Sequence, residues 1–142
     1  MTQSLLLPID DSPNSLRALD WVLSQLPCWK TTPALHLLNV QPSLHGDISR
    51  FVSARQIEEF HRESGDKALT TARQRLAAAG IEANFHVRVG ETALVIEQAA
   101  HELGCTQIVL GTRGHSGLGG LLLGSVATRL SHISTLPLTL IR

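Results

Sequence analysis

Three glycines and a serine carry the clearest chemical signal in the chain. They are Gly111, Gly114, Gly124 and Ser125, in a run that begins Gly111-Thr112-Arg113-Gly114-His115-Ser116 and follows the apolar residues 107–110. Without a Cβ, glycine lets the chain turn tightly off a strand and pass close to a ligand. The N–H groups in the first turn of the next helix would then face an anion. The chemistry this supports is phosphate recognition by backbone amides. No Lys precedes Ser125, which excludes a Walker A loop. Gly117 and Gly119 lack a third glycine at position 122, which excludes the dinucleotide fingerprint. The same spacing would also serve a glycine-rich turn that only joins a strand to a helix.

The remaining chemistry-bearing residues form no comparable pattern. Among the histidines, His45, His61, His86, His101 and His132 show none of the His-x-His, His-x-x-x-His or His/Cys spacings of a closed metal site. No Gly-x-Ser-x-Gly is present, and no Ser-His-Asp arrangement stands out. The charges from Arg55 to Arg75 interleave with Glu58, Glu59, Glu63 and Asp66, as on a solvated helix face. Cys28 and Cys105 are the only cysteines and form no Cys-x-x-Cys, so two reduced thiols are expected.

The elements that must position the glycine run follow from periodicity. Residues 4–9 read as a short buried strand ending at Asp10-Asp11-Ser12-Pro13-Asn14, a turn cluster that can also cap a helix. Leu16, Leu19, Leu23 and Leu26 recur at helical spacing until Pro27. Residues 34–40 form a strand that is apolar on both faces apart from His36 and Asn39, as a central parallel strand would be. The polar stretch 41–52 reads as a loop. Ile57, Phe60, Ser64, Ala68, Ala72, Leu76 and Ala79 mark the inward stripe of a long helix ended by Gly80. Gly65 is its weak spot, at roughly 1 kcal/mol against Ala if exposed.

Residues 81–89 alternate Ile81, Ala83, Phe85, Val87 and Val89 with polar neighbours, which fits a strand at or near a sheet edge. A helix follows with Ala93, Ile96, Ala100 and Leu103 inward, closed by Gly104. Then come the strand 107–110, the glycine run, a helix over 121–133 and a last strand over 137–141. Strands and helices therefore alternate as β-α-β-α-β-α-β-α-β, which gives a parallel sheet with helices on both faces. Ligands of such sheets bind beyond the carboxyl ends of the strands, where the strand order reverses. Asp10, Val40 and Gly111 all fall at strand carboxyl ends, so one crevice can use all three.

Composition sets the outer limits. A chain of 142 residues, 43% hydrophobic and 17% charged, is one globular domain over 1–142. Lys+Arg and Asp+Glu number 12 each, and the balance argues against nucleic acid as a partner. Met1 to Leu7 has no basic start and its apolar run stops at Pro8, unlike a signal peptide. No stretch approaches the roughly 18 apolar residues of a membrane span. A cytoplasmic protein is expected.

The frame Gly-x2-Gly-x9-Gly-Ser, filled by Gly111, Gly114, Gly124 and Ser125, resembles the nucleotide-binding motif of the universal stress protein family. The opening Leu5-Leu6-Leu7-Pro8-Ile9-Asp10-Asp11-Ser12 is similar to that family's first strand and acidic turn. Leu35-His36-Leu37-Leu38-Asn39-Val40, Val89-Gly90-Glu91-Thr92 and Leu136-Pro137-Leu138-Thr139-Leu140-Ile141 resemble its second strand, third crossover and closing strand. Many members carry Asp before the fourth strand, where this chain has Cys105-Thr106-Gln107, a position expected to face away from the site.

The resemblance implies an open, twisted five-stranded parallel sheet of order 3-2-1-4-5, similar to the adenine nucleotide alpha hydrolases. It implies an ATP site and a homodimer in which the edge strands Leu138–Ile141 of two copies pair antiparallel, and Mg²⁺ is expected with the ATP because the site carries little formal positive charge. Asp10 then serves the nucleoside or a phosphate-bridging cation, the alternative being an Asx-turn or helix cap. Pro8 and Ile9 offer an apolar wall, and Val40 lends its main chain to an adenine edge. The backbone of Gly111, Thr112 and Arg113 runs near the ribose; Arg113 can reach a phosphate or lie solvated. Gly114, His115, Ser116, Gly124, Ser125 and Val126 follow the phosphates. The implied function is a non-catalytic or very slow nucleotide-dependent stress-response protein. A slow ATPase or nucleotidyl-transfer enzyme and a nucleotide-free dimeric adaptor are the alternatives.

Overall fold

Leu5, Leu6 and Leu7 are all buried, yet they do not share a core. Successive residues of a strand point to opposite faces, so Leu5 and Leu7 join one apolar cluster and Leu6 joins the other. A strand with no wet face must lie at the centre of a sheet covered on both sides, and that is where the first strand sits. The computed structural model describes residues 2–44, 48–112 and 123–142. Its strands are β1 (Ser4–Pro8), β2 (Ala34–Gln41), β3 (Asn84–Val89), β4 (Gln107–Gly111) and β5 (Leu138–Ile141). All pair in parallel, in the order β3-β2-β1-β4-β5, as the family resemblance implied.

The helices are α1 (Pro13–Gln25), α2 (Ile48–Phe51), α3 (Ala54–Ala79), α4 (Thr92–Glu102) and α5 (Ser125–Ile133). Contacts place α1 and α3 over the Leu5/Leu7 face, and α4 and α5 over the Leu6 face. Ser12 caps α1, its hydroxyl accepting from the Ser15 N–H at 3.2 Å, and Pro13 stands at the first helical position, where no N–H is needed. Ser53 and Gln56 close a reciprocal capping box on α3, and Gly80 ends that helix at φ 68.

Several elements differ from the reading of periodicity. The 41–52 stretch contains the single-turn α2, and β2 runs on to Gln41. The last helix starts at Ser125 behind Gly124, not at 121, and residues 121–122 lie outside the described residues. Ala72 and Leu76 of α3 are buried as expected, but nearer its amino end the buried residues are His61, Gly65 and Leu69, one position on from Phe60, Ser64 and Ala68, and Phe60 is 51% exposed. The cause lies on β3. A Cβ at Gly65 would stand 2.4 and 2.5 Å from the two Val87 methyls, so glycine at that point lets α3 press its backbone against the edge strand. At the amino end of β4, Thr106 Oγ1 accepts from the Ser4 N–H at 3.1 Å and its own N–H bonds the Ser4 carbonyl at 2.7 Å, away from the strand ends that carry Asp10 and Gly111.

Candidate functional site

The strand order reverses between β1 and β4, and their carboxyl ends splay to leave a crevice. On the β1 side the chain leaves the sheet through Ile9 and Asp10. Asp10 Oδ1 accepts from the Ser12 N–H at 3.0 Å, the Asx-turn weighed against a ligand role. Ser15 Oγ donates to the Ser12 carbonyl at 3.0 Å and accepts from the Asp10 N–H at 3.4 Å. Between them Asp11 is held at φ 66, a left-handed conformation seldom taken by a non-glycine residue.

On the β4 side, the Thr112 N–H donates to the Ile141 carbonyl at 2.9 Å, and the Gly124 N–H donates to the Thr112 carbonyl at 2.5 Å. These bonds tie both ends of the glycine run to the sheet. Gly124 is the N-cap of α5 and supplies no side chain to it. The first intrahelical bond runs from the Thr128 N–H to the Gly124 carbonyl at 3.0 Å. The N–H groups of Ser125, Val126 and Ala127 therefore have no acceptor within their helix and point out of its start. The helix dipole adds partial positive charge at the same place.

These segments enclose a cavity of about 280 Å³. Nine of the residues singled out in the sequence line it: Pro8, Ile9 and Asp10 from the β1 end, Val40 from β2, Gly111 and Thr112 from β4, and Gly124, Ser125 and Val126 from the start of α5. The other three, Arg113, Gly114 and His115, lie outside the described residues, as does Ser116. Ser15, Leu38, Thr92, Ile96, Leu110 and Ala127 also line it and were not anticipated. Leu38 and Leu110 had a signal, since each sits close to a strand end already assigned to the crevice. Thr92 and Ile96 had one too, four apart on a helix that leaves the β3 end. Asp10 is the one ionisable side chain among the described lining residues, and among the described residues no three His, Cys, Asp or Glu side chains gather as a metal site.

Gly111 has a reason of its own. A Cβ there would stand 2.7 Å from the Asn14 carbonyl oxygen and 2.8 Å from its carbon, the backbone of the first turn of α1. The glycine serves the packing of α1 on β4, and the space a side chain would need is filled by protein.

A parallel sheet wound both ways, with a crevice at its switch point and an uncapped helix start opening into it, is the architecture of the doubly wound α/β ligand-binding proteins. The model of the Universal stress protein family matches residues 1–142, and the chain belongs to that family. Universal stress protein YxiE of Bacillus subtilis is 33% identical to it, with 100% of both chains covered. Hypothetical protein MJ0577 superposes with a TM-score of 0.82 at 22% identity, covering 99% of this chain and 96% of its own. A universal stress protein in complex with cAMP superposes at 0.70 and 22% identity, covering 99% and 97%. A family member from Arabidopsis thaliana with AMP bound does so at 0.69 and 18%, covering 98% and 90%. At these identities the structural likeness establishes the common fold. No helix among the described residues is long and apolar enough to cross a membrane.

Proposed function

We propose that the chain binds an adenine nucleotide, ATP with Mg²⁺, in the crevice between β1 and β4, and acts as a non-catalytic regulatory homodimer in the cytoplasm. The observation that carries the reading is the convergence of β1, β2, β4 and the uncapped start of α5 on one cavity. Related family members bind cAMP and AMP. In this reading the Val40 main chain meets the adenine edge, Pro8 and Ile9 flank the base, and Asp10, Gly111 and Thr112 lie along the ribose. The phosphates follow Arg113, Gly114 and His115 to the N–H groups of Ser125 and Val126. The one ionisable lining side chain described is an acid, so a triphosphate calls for a cation, and Mg²⁺ coordinated by phosphate oxygens supplies it.

Dimerisation rests on β5. It closes the sheet at one edge, and all four of its residues are only half-buried. A bare edge of this kind pairs readily, and an antiparallel partner about a twofold axis would satisfy its outer N–H and C=O groups. The cytoplasmic assignment draws on Cys28 and Cys105, both free.

The test is calorimetric titration of nucleotide-stripped protein with ATP, AMP and cAMP, in excess Mg²⁺ and in excess EDTA. Saturable ATP binding that tightens with Mg²⁺ is expected; equal affinities remove the metal, and no binding of any adenine nucleotide leaves a dimeric adaptor. Gly124 sits at φ −72, which valine can also adopt, so Gly124→Val should abolish ATP binding without backbone strain. Phosphate release above a buffer blank, lost in Asp10→Ala, would establish an ATPase instead.

A further inference from the structure

Asn39 is a buried amide, 3% exposed, in an otherwise apolar stretch of β2. Such a group is costly to bury unless both its ends are bonded, and both are. Its Nδ2 donates to the Ile9 carbonyl at 2.8 Å, and its Oδ1 accepts from Gln41 Nε2 at 2.5 Å. A carbonyl can only accept, so the amide's orientation is settled by chemistry.

What this bond displaces is a rung of the sheet. The β1–β2 register runs to Pro8↔Leu38, and the Ile9 N–H still reaches the Leu38 carbonyl at 2.8 Å. In a parallel ladder a residue takes its N–H bond from one position before its opposite number and gives its carbonyl to the N–H one position after. The Ile9 carbonyl would therefore pass to the Val40 N–H. The Asn39 side chain stands on it instead. Alternate residues of β2 address opposite neighbours: Gln41 accepts from the Gly90 N–H at 3.0 Å on the β3 side, whereas Leu38 faces β1. Val40 thus turns its N–H and C=O to the β1 side, beyond the last rung, where it lines the cavity.

We infer that Asn39 is a positioning residue for the nucleoside subsite: its side-chain amide ends the β1–β2 ladder one rung early and leaves the Val40 main chain open to an adenine edge. The inference rests on the adenine-nucleotide reading above. Replacing the amide by an apolar group of similar size, Asn39→Leu, frees the Ile9 carbonyl to take the Val40 N–H. The ladder gains a rung and the subsite loses its donor.

Two measurements on the whole chain test this. Amide hydrogen exchange of the ligand-free protein, read by NMR, should find the Val40 N–H unprotected in wild type and slowed at least about tenfold in Asn39→Leu. A purely structural role predicts no slowing, since loosening the strand end leaves an already unprotected amide unprotected. Calorimetry with AMP should then show affinity reduced at least about tenfold in the variant. If Asn39→Leu does not fold, Asn39→Asp keeps the shape and removes the donor, and is read in the same way. Equal Val40 exchange in wild type and variant overturns the inference and leaves the nucleotide reading intact. The expected exchange pattern in a wild type that takes no AMP, ATP or cAMP overturns the nucleotide reading, and the ligand role of Asn39 with it.

Discussion

Replacing Gly65 by alanine sets two physical arguments directly against each other. Helix propensity alone favours the change by about 1 kcal/mol, because glycine is a poor interior residue. The contact with β3 opposes it. The added Cβ would stand 2.4 Å from Val87 Cγ1, 2.5 Å from Cγ2 and 3.0 Å from its Cβ. Carbon atoms rest at about 3.5–4.0 Å, so each methyl must yield by about an ångström. Val87 is β-branched and held in a strand, and the crowding of its Cβ means that turning one methyl away does not relieve the overlap. Overpacking of this kind costs about 1–3 kcal/mol, and with all three atoms crowded the upper end applies. The net is a loss of about 2 kcal/mol, or about 4–8 °C in Tm for a chain of this size.

The assay is urea and thermal unfolding of wild type, Gly65→Ala, Val87→Ala and the double variant. Val87→Ala removes both methyls and leaves only its Cβ, at 3.0 Å, so on that background the remaining crowding and the propensity gain of about 1 kcal/mol should roughly cancel and Gly65→Ala should be about neutral. The loss disappears, and the coupling between the two positions is about 2 kcal/mol. A wild-type background in which Gly65→Ala raises Tm would refute the close approach of α3 to β3, and with it the account of why Phe60 faces water.

Gly111→Ala should be severe, about 3 kcal/mol or more by urea midpoint, because the clash is with the Asn14 backbone, which cannot swing aside; an unchanged midpoint would refute it. Asp11→Gly should stabilise by about 1 kcal/mol, since only glycine takes φ 66 without penalty, and a fall in Tm would count against that geometry. His36 Nδ1 and His86 Nε2 lie 3.0 Å apart across β2 and β3, and burial lowers both pKa values below the ordinary 6.5. The unfolded chain takes protons there that the folded chain refuses, so stability is full above pH 6.5 and falls as the pH drops toward the lowered folded values. Urea unfolding at pH 7.5 and 5.5 should show that fall, and should show less of it in His36→Gln.

Much of the fold could be read from apolar runs because its strands are buried on both faces. The three consecutive leucines of β1 and the buried Ile108, Val109 and Leu110 of β4 admit few alternatives. The face of α3 was another matter. Its two competing stripes, through Ser64 and Ala68 or through Gly65 and Leu69, differ by one position, and Leu69 was the local signal for the second while Gly65 spoke against it. What makes a glycine fit at 65 is the distant Val87, and no local window contains that information. The single turn of α2 is too short to have a period. The His36–His86 pair depends on the register Leu38↔His86, which is a property of the sheet and not of either strand alone.

The candidate site shows the same division. A strand that must stop at a crevice leaves a mark in the sequence, a polar or glycine residue at its carboxyl end, and Asp10 and Gly111 were found by it. The physical reason for the mark is less accessible. Gly111 looks like a place where a ligand comes close, and the close neighbour is the Asn14 backbone. Asn39 looks like an interruption in a core strand, yet its amide holds the Ile9 carbonyl at 2.8 Å. Each residue is needed where two chain segments meet: β4 and α1 at the glycine, β1 and β2 at the amide. Sequence patterns report what a residue is next to along the chain, and a crevice at a switch point is built by what stands across it. A buried polar residue two positions before the end of an apolar parallel strand is therefore worth reading as a ladder stop, because a main-chain group left without its rung is what such a strand can offer a ligand.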